Sequence, residues 1–186
     1  MITEGDLQQL DFRYLSDPNA DLHKRFPTDS RSESENNLHG CTKQLYLLKK
    51  RKRNLKTHLS IGGFTYKTNF ARALATASNR KVFADSSVTL LSDLGFDGLD
   101  LDWESPEDDI QATALVSVLK ELRCALDRYA SYNKLDYKFA LSVAVAAKPK
   151  DFNIWHFAEM DAYLDYWSLS KYEHSVFLAL HSPRDY

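Results

Sequence analysis

The sequence predicts an α/β fold built from parallel β/α units. Segments that alternate apolar and polar residues, as strands do, take turns with segments whose apolar residues recur every three or four positions, as in helices. This order is typical of a (β/α) barrel or of an open doubly wound sheet. Roughly four segments have the strand pattern, whereas a complete TIM barrel has eight strands and usually about 250 residues. The chain of 186 residues is therefore predicted to form part of a (β/α)8 TIM barrel.

Composition divides the chain into two parts. Residues 1–38 are polar and rich in turn-forming residues, and we expect loops with at most short local structure there. The partial barrel domain is predicted over residues 39–186. Its first element is a helix over Cys41–Lys50, where several leucines precede basic residues that complement the carboxyl end of the helix dipole.

Strands and helices then follow in alternation. Short alternating runs predict the strands, and a C′ glycine or an acidic first turn marks the helix ends. The predicted elements are a strand over 55–61 that stops at Gly62-Gly63, a helix over 79–94 ended by Gly95, a strand over 96–103, a helix opened by Asp108-Asp109, and strands over 139–147 and 164–172. The long helix places an apolar stripe from Ile110 to Tyr129 on the core.

Charge balance and cysteine content exclude several classes of protein. Lys and Arg total 24 against 26 Asp and Glu, so the net charge of −2 gives no general attraction to nucleic acid or to an anionic membrane. The two cysteines allow at most one disulfide; we expect Cys41 to be a buried small hydrophobe and Cys124 to lie near the apolar face of its helix. The histidines lack paired metal-ligand spacing, so neither a metal nor a cofactor is predicted.

The sequence predicts neither a signal peptide nor a membrane-spanning segment. No apolar run approaches the roughly 18 residues needed to span a bilayer, and acids near Met1 stand where a signal peptide has basic residues. The basic run Lys49–Arg53 is interpreted as the solvated end of its helix rather than as a nucleic-acid patch, because the rest of the chain is not basic.

The strand over 96–103 and the residue after it hold the most informative pattern. Because strand side chains alternate faces, Asp100, Asp102 and Glu104 share one face and apolar residues share the other. Neighbouring carboxyls on one face lie roughly 6.5 Å apart along the strand, close enough that one is pushed to keep a proton in a closed site. A retained proton is what a general acid needs. The alternative is a half-exposed strand with its acids in water, and spacing alone leaves both interpretations open.

Two motifs resemble those of glycoside hydrolase family 18, the chitinase family. Residues 97–104 match the family signature DGxDxDWE at every specified position, and residues 60–63 match the SxGG motif of the preceding strand. Further segments, residues 27–30, 40–50 and 94–98, resemble fungal-type chitinases in particular. The resemblance covers about residues 26–173 and implies a substrate of chitin or chitooligosaccharides.

The resemblance also implies a role for each matched residue. Glu104 is the expected general acid/base of a retaining reaction in which the substrate's own acetamido group attacks the anomeric carbon. Asp102 is expected to orient that group with support from Asp100, and Tyr172 to hydrogen-bond it. The expected substrate-binding residues are Gly62, Gly63, Phe64 and Glu173. The sequence departs from the family pattern at Ser105, Lys148, Ser170 and Glu173.

By the same alignment, two barrel strands are expected to be missing before Met1 and two after Tyr186. This truncation leaves two alternatives to an active chitinase. The first is a lectin-like chitin-binding relative, which the presence of Glu104 disfavours. The second is a vestigial gene product without independent function. Resemblance to secreted relatives implies an extracellular location, although no signal peptide is predicted.

Overall fold

A computed structural model of the chain describes residues 15–27, 29–30, 37–103, 106–146, 152–170 and 178–181. Within these ranges the strands are β1 (His58–Gly62), β2 (Gly98–Asp102), β3 (Ala140–Ala146), β4 (Tyr166–Ser170) and β5 (Leu178–His181). The α-helices are α1 (Gly40–Arg51), α2 (Lys67–Ala73), α3 (Ala77–Leu94), α4 (Asp109–Tyr132) and α5 (Phe157–Asp161). A short π-helix spans Asn19–His23, and a 3-10 turn spans Phe64–Tyr66.

The strands form one sheet in the order β1-β2-β3-β4-β5. The first four strands run parallel, as the sequence predicts for consecutive β/α units. The fifth strand pairs antiparallel to β4 and was not predicted. Only residues 171–177 separate β4 from β5, whereas a parallel return requires a crossover of about a dozen residues or more. The short connection therefore accounts for the reversed direction of β5.

Helices cover one face of the sheet. Leu99, Leu101 and Trp103 are each only 1% exposed on this face, and the Trp103 ring stacks on that of Phe70 in α2 at 5.4 Å. The helices α3 and α4 pack against each other over the same core. At the end of α3, Gly95 adopts the left-handed conformation (φ 71°) predicted for a C′ glycine.

Three predictions about individual side chains are wrong. Ile110, expected on the apolar stripe of α4, is 80% exposed, because it lies in the first turn after the Asp108 cap and faces away from the core. Cys41 and Cys124 are both exposed free thiols. Each belongs to the solvent side of an amphipathic helix, where its polar neighbours also lie.

The polar segment before residue 39 contacts α1. The Gly40 amide donates to the Lys24 carbonyl, and Lys43 pairs with Asp29 at 2.8 Å. Gly40 has φ +66° and lies so close to the Asp21 backbone that a side chain would not fit. The domain boundary predicted between residues 38 and 39 stays a prediction. No helix in the described ranges is long and apolar enough to cross a membrane.

Asp97, just before β2, joins three parts of the fold. Its carboxylate accepts hydrogen bonds from the Thr57 amide at 2.8 Å and from the Tyr137 hydroxyl at 3.3 Å, and it pairs with Lys49 of α1 at 2.6 Å. Burial opposes ionisation of Asp97, but the hydrogen bonds and charge of Lys49 and the Thr57 amide outweigh it, so its pKa is lowered. The pKa of Tyr137 is raised to about 12 by burial and by the adjacent Asp97 charge.

We expect Asp97→Asn to lower the free energy of unfolding by about 2–3 kcal/mol at pH 7, because its charge-assisted hydrogen bonds are lost. The native pKa lies below the unfolded value of about 3.9, so this stabilisation is present above that pH and disappears as the pH falls through the native pKa. Urea unfolding at pH 7 and pH 3 measures both effects. Asp93→Asn, at an exposed site near the end of α3, is the matched control. Equal losses in both variants would contradict the role of Asp97.

Candidate active site

The strand β2 separates its acidic and apolar side chains onto opposite faces. Leu99 and Leu101 are buried beneath the helices, whereas Asp100 and Asp102 are partly exposed on the other face. The alternation predicted from the sequence is therefore confirmed over Gly98–Asp102. Asp102 is the last residue of the strand, at the carboxyl end of the parallel sheet, where β/α folds place their chemistry.

Three serine hydroxyls from three other strands surround Asp100. Ser60 of β1 lies 2.8 Å from Oδ2, Ser142 of β3 lies 2.6 Å from Oδ1, and Ser168 of β4 lies 3.5 Å from Oδ1. Strand register explains two of these contacts, because Asp100 is directly opposite Ser60 on one side and Ser142 on the other. An ionised carboxylate only accepts hydrogen bonds, so the hydroxyls act as its donors.

Two of these serines, Ser142 and Ser168, are functional candidates that the sequence analysis missed. A signal for them exists in the sequence. In Ala140–Ala146, small residues alternate with Leu and Val, so the face of β3 that bears Ser142 is lined by small side chains. Serine on such a face of a parallel strand, level with an acid on the next strand, indicates a hydrogen bond across the sheet.

The Gly62-Gly63 turn brings the backbone close to Asp102. Gly62 has φ +126°, and a Cβ there would lie 2.2 Å from the Asp102 carbonyl oxygen and 2.8 Å from the Phe70 ring. Gly63 has φ +97°, and its amide donates to the same carbonyl at 2.8 Å. A Cβ on Gly63 would lie 3.8 Å from the Asp102 carboxylate. The glycines thus hold the end of β1 against Asp102 and keep the space beside its carboxylate open.

The His58 imidazole lies on the same face as Asp100, one step nearer the start of the strands. Burial lowers the pKa of the His58 imidazole, and the nearby negative charge of Asp100 offsets this only in part. The His58 and Tyr166 rings are 5.9 Å apart. Gly98 is directly opposite His58 in the register, and a Cβ on Gly98 would come within 2.6 Å of the Ala140 carbonyl oxygen, so glycine is required for this close approach.

The structure brings together only some of the residues predicted for the site. Asp100, Asp102, Gly62 and Gly63 lie side by side at the ends of β1 and β2. The backbone of Phe64 follows directly in the 3-10 turn. Ser170 is described and ends β4. The remaining predicted site residues and departures lie outside the described residues: these are Glu104, Ser105, Lys148, Tyr172 and Glu173.

The Trp167 and Phe157 rings lie on the other face of the sheet. Trp167 follows Tyr166 and precedes Ser168 in β4, so its ring points to the helix side, where it lies 5.4 Å from Phe157. With Val145 and Leu169 these rings line a cavity of about 460 Å³, away from Asp100. Among the residues described, no group of three or more His, Cys, Asp or Glu side chains could hold a metal ion.

Comparison with known proteins gives consistent matches. The family model described as "Glycosyl hydrolases family 18" matches residues 13–183. The chain is 48% identical over 162 residues to Endochitinase 1 of Metarhizium anisopliae, an alignment that covers 87% of this chain and 38% of that protein. Chitinase ChiA74 from Bacillus thuringiensis has a TM-score of 0.76 at 27% identity, over 83% of this chain and 26% of its own. A class V chitinase from Nicotiana tobaccum, solved in complex with NAG4, has a TM-score of 0.62 at 30% identity, over 69% and 37% of the two chains.

These matches confirm the partial (β/α)8 fold and the resemblance to chitinases, fungal ones included. The chain belongs to glycosyl hydrolase family 18. It spans 38% of the length of the Metarhizium endochitinase.

We expect Gly62→Ala to lower the free energy of unfolding by at least about 3 kcal/mol, because its methyl group would collide with the Asp102 backbone in addition to straining φ. Gly95→Ala separates the two effects. Gly95 also has a positive φ, but its Cβ would meet no atom within 4 Å, so a loss of about 1 kcal/mol is expected. Urea denaturation of both variants measures the difference. Similar losses would show that close contact with Asp102 does not require the glycine.

Proposed function

We propose that this chain carries the catalytic carboxylates of an enzyme that hydrolyses β-1,4-linked N-acetylglucosamine polymers. The observation that carries the proposal is the acidic row of β2: Asp100 and Asp102 share the face opposite the helices and sit at the end of the sheet used for chemistry in β/α folds. The chitinase relatives support the substrate class, because one of them was solved with NAG4.

In the proposed reaction, Glu104 is the general acid and base. It lies two residues beyond Asp102 in the sequence, and the alternation predicted from the sequence would place it on the same face. Glu104 donates its proton to the glycosidic oxygen while the carbonyl oxygen of the substrate's acetamido group bonds to the anomeric carbon and the leaving sugar departs. Glu104 then takes a proton from water, and the oxygen of that water replaces the acetamido oxygen. Two displacements on one carbon give net retention.

Asp102 and Asp100 have supporting roles in this scheme. Positive charge develops on the acetamido group and the sugar ring as the bond breaks, and a carboxylate next to that charge stabilises it. Asp102 has the suitable position, beside the open space that Gly63 leaves. Asp100, held by hydroxyl donors, adds negative charge on the same face two residues earlier in the strand.

The remaining predicted residues would bind the sugar. We propose that Tyr172 hydrogen-bonds the reacting acetamido group and that Phe64 and Glu173 line the subsite next to Gly62-Gly63. Ser170, which replaces a methionine of the family pattern, ends β4 on the same face as Ser168. Its small side chain leaves more room above the acids than a methionine would.

We expect Glu104→Gln to reduce release of fluorophore from a fluorogenic chitotrioside by at least about a hundredfold, because the amide cannot donate or accept the proton. The matched control is Glu107→Gln, an exposed acid near the start of α4, which should retain full activity. Circular dichroism checks that all proteins are folded. Unchanged turnover in Glu104→Gln would contradict the assignment of the acid. Chitin binding without turnover in the folded wild type would instead support a lectin-like role.

The attack by the acetamido group also fixes the stereochemistry. We expect hydrolysis of chitohexaose to release the β-anomer first, since the configuration at the cleaved carbon is retained. Proton NMR of the anomeric region within minutes of mixing measures the anomer before mutarotation. Initial release of the α-anomer would indicate direct attack by water and would contradict the substrate-assisted step.

A further inference from the structure

We propose that Ser142 is a positioning residue for this reaction, which acts by fixing the orientation of the Asp100 carboxylate. The inference rests on the proposed function. It assigns a role to a residue of β3, a strand to which neither matched motif belongs.

The geometry of the contact is that of a strong hydrogen bond. Ser142 is 2% exposed, and its hydroxyl oxygen lies 2.6 Å from Oδ1 of Asp100. Bonds of this length are typical of a hydroxyl donating to a carboxylate. The register pairs the two residues across neighbouring strands, so the short serine side chain reaches without distortion.

The other groups around Asp100 leave Ser142 as its closest donor. Ser60 lies 2.8 Å from the second oxygen, and Ser168 lies at the limit of hydrogen bonding, 3.5 Å from the same oxygen as Ser142. The contribution of Ser142 is therefore the largest expected on Oδ1, because hydrogen bonds weaken with distance.

The titratable groups on the neighbouring strands do not take the place of the Ser142 hydroxyl beside Asp100. On the same face these groups are His58 on β1, Asp102 on β2 and Tyr166 on β4. Asp97 and Asp165, at the starts of β2 and β4, are each paired with a lysine. On β3 the described neighbours of Ser142 on its face are alanines.

Loss of this hydroxyl should act on Asp102. Without the Ser142 hydroxyl, the Asp100 carboxylate loses its closest hydrogen bond and can turn away from Asp102. Its negative charge then no longer lies at a fixed position beside the developing positive charge. The effect on the chemical step should exceed the effect on substrate binding.

The test compares Ser142→Ala with Ser87→Ala. Ser87 is 1% exposed, and its hydroxyl donates to the Phe83 carbonyl within α3, remote from the acids, so it matches Ser142 in burial alone. For Ser142→Ala we expect kcat on chitotrioside to fall about tenfold with KM changed less than about twofold. Ser142→Thr, which keeps the hydroxyl, should restore kcat, and Ser87→Ala should change neither constant.

A second measurement does not need turnover. Carbon-13 NMR at constant pH resolves the Asp carboxyls of the folded chain, and the Asp100→Asn variant identifies the Asp100 signal. We expect the chemical shift of the Asp100 carboxyl to change in Ser142→Ala, because its closest hydrogen-bond donor is removed, and to stay constant in Ser87→Ala. An unchanged Asp100 signal in Ser142→Ala would overturn the role of Ser142 while leaving the proposed function intact. Full activity in Glu104→Gln would overturn the proposed function. The NMR measurement would still test the contact between Ser142 and Asp100, because it does not depend on activity.

Discussion

The burial of Leu99, Leu101 and Trp103 beneath α3 and α4 determines where the acids of β2 point. Each of these large side chains removes apolar surface from water, so a one-residue slip of the strand would expose them and bury the carboxylates. Asp100 and Asp102 are therefore held on the opposite face by the hydrophobic core. The serines that bind Asp100 refine its position, but the core sets its direction.

The same acidic residue type has a second use at the other end of the strands. Asp97 accepts from the Thr57 amide, and its own amide donates to the Thr57 carbonyl. Asp165 makes the same pair of bonds with Leu141. In both cases an acid just before one strand closes the start of its neighbour, and lysines neutralise the carboxylates. These two acids are structural, although one of them belongs to the family signature.

The sequence was sufficient for the parts of the fold that follow from local pattern. Alternation located β1–β4 within a few residues, and it assigned Leu99 and Asp100 to opposite faces. It could not give the serine cluster, because Ser142 and Ser168 are distant in sequence and meet Asp100 only through strand order and register. It also missed β5, whose direction depends on a pairing partner rather than on its four residues. Ile110 shows a further limit, since periodicity does not say which helix residues lie beyond the edge of the core.

The acids have charged partners at one end of the sheet and uncharged partners near the other end. At the amino ends of the strands, Asp97 and Asp165 are balanced by lysine side chains. Asp100 takes its hydrogen bonds from uncharged hydroxyls, so its negative potential is oriented and kept rather than cancelled. An uncharged polysaccharide would approach this region without repulsion. A cationic sugar formed there would experience attraction from the moment its charge appears, before any side chain had to move.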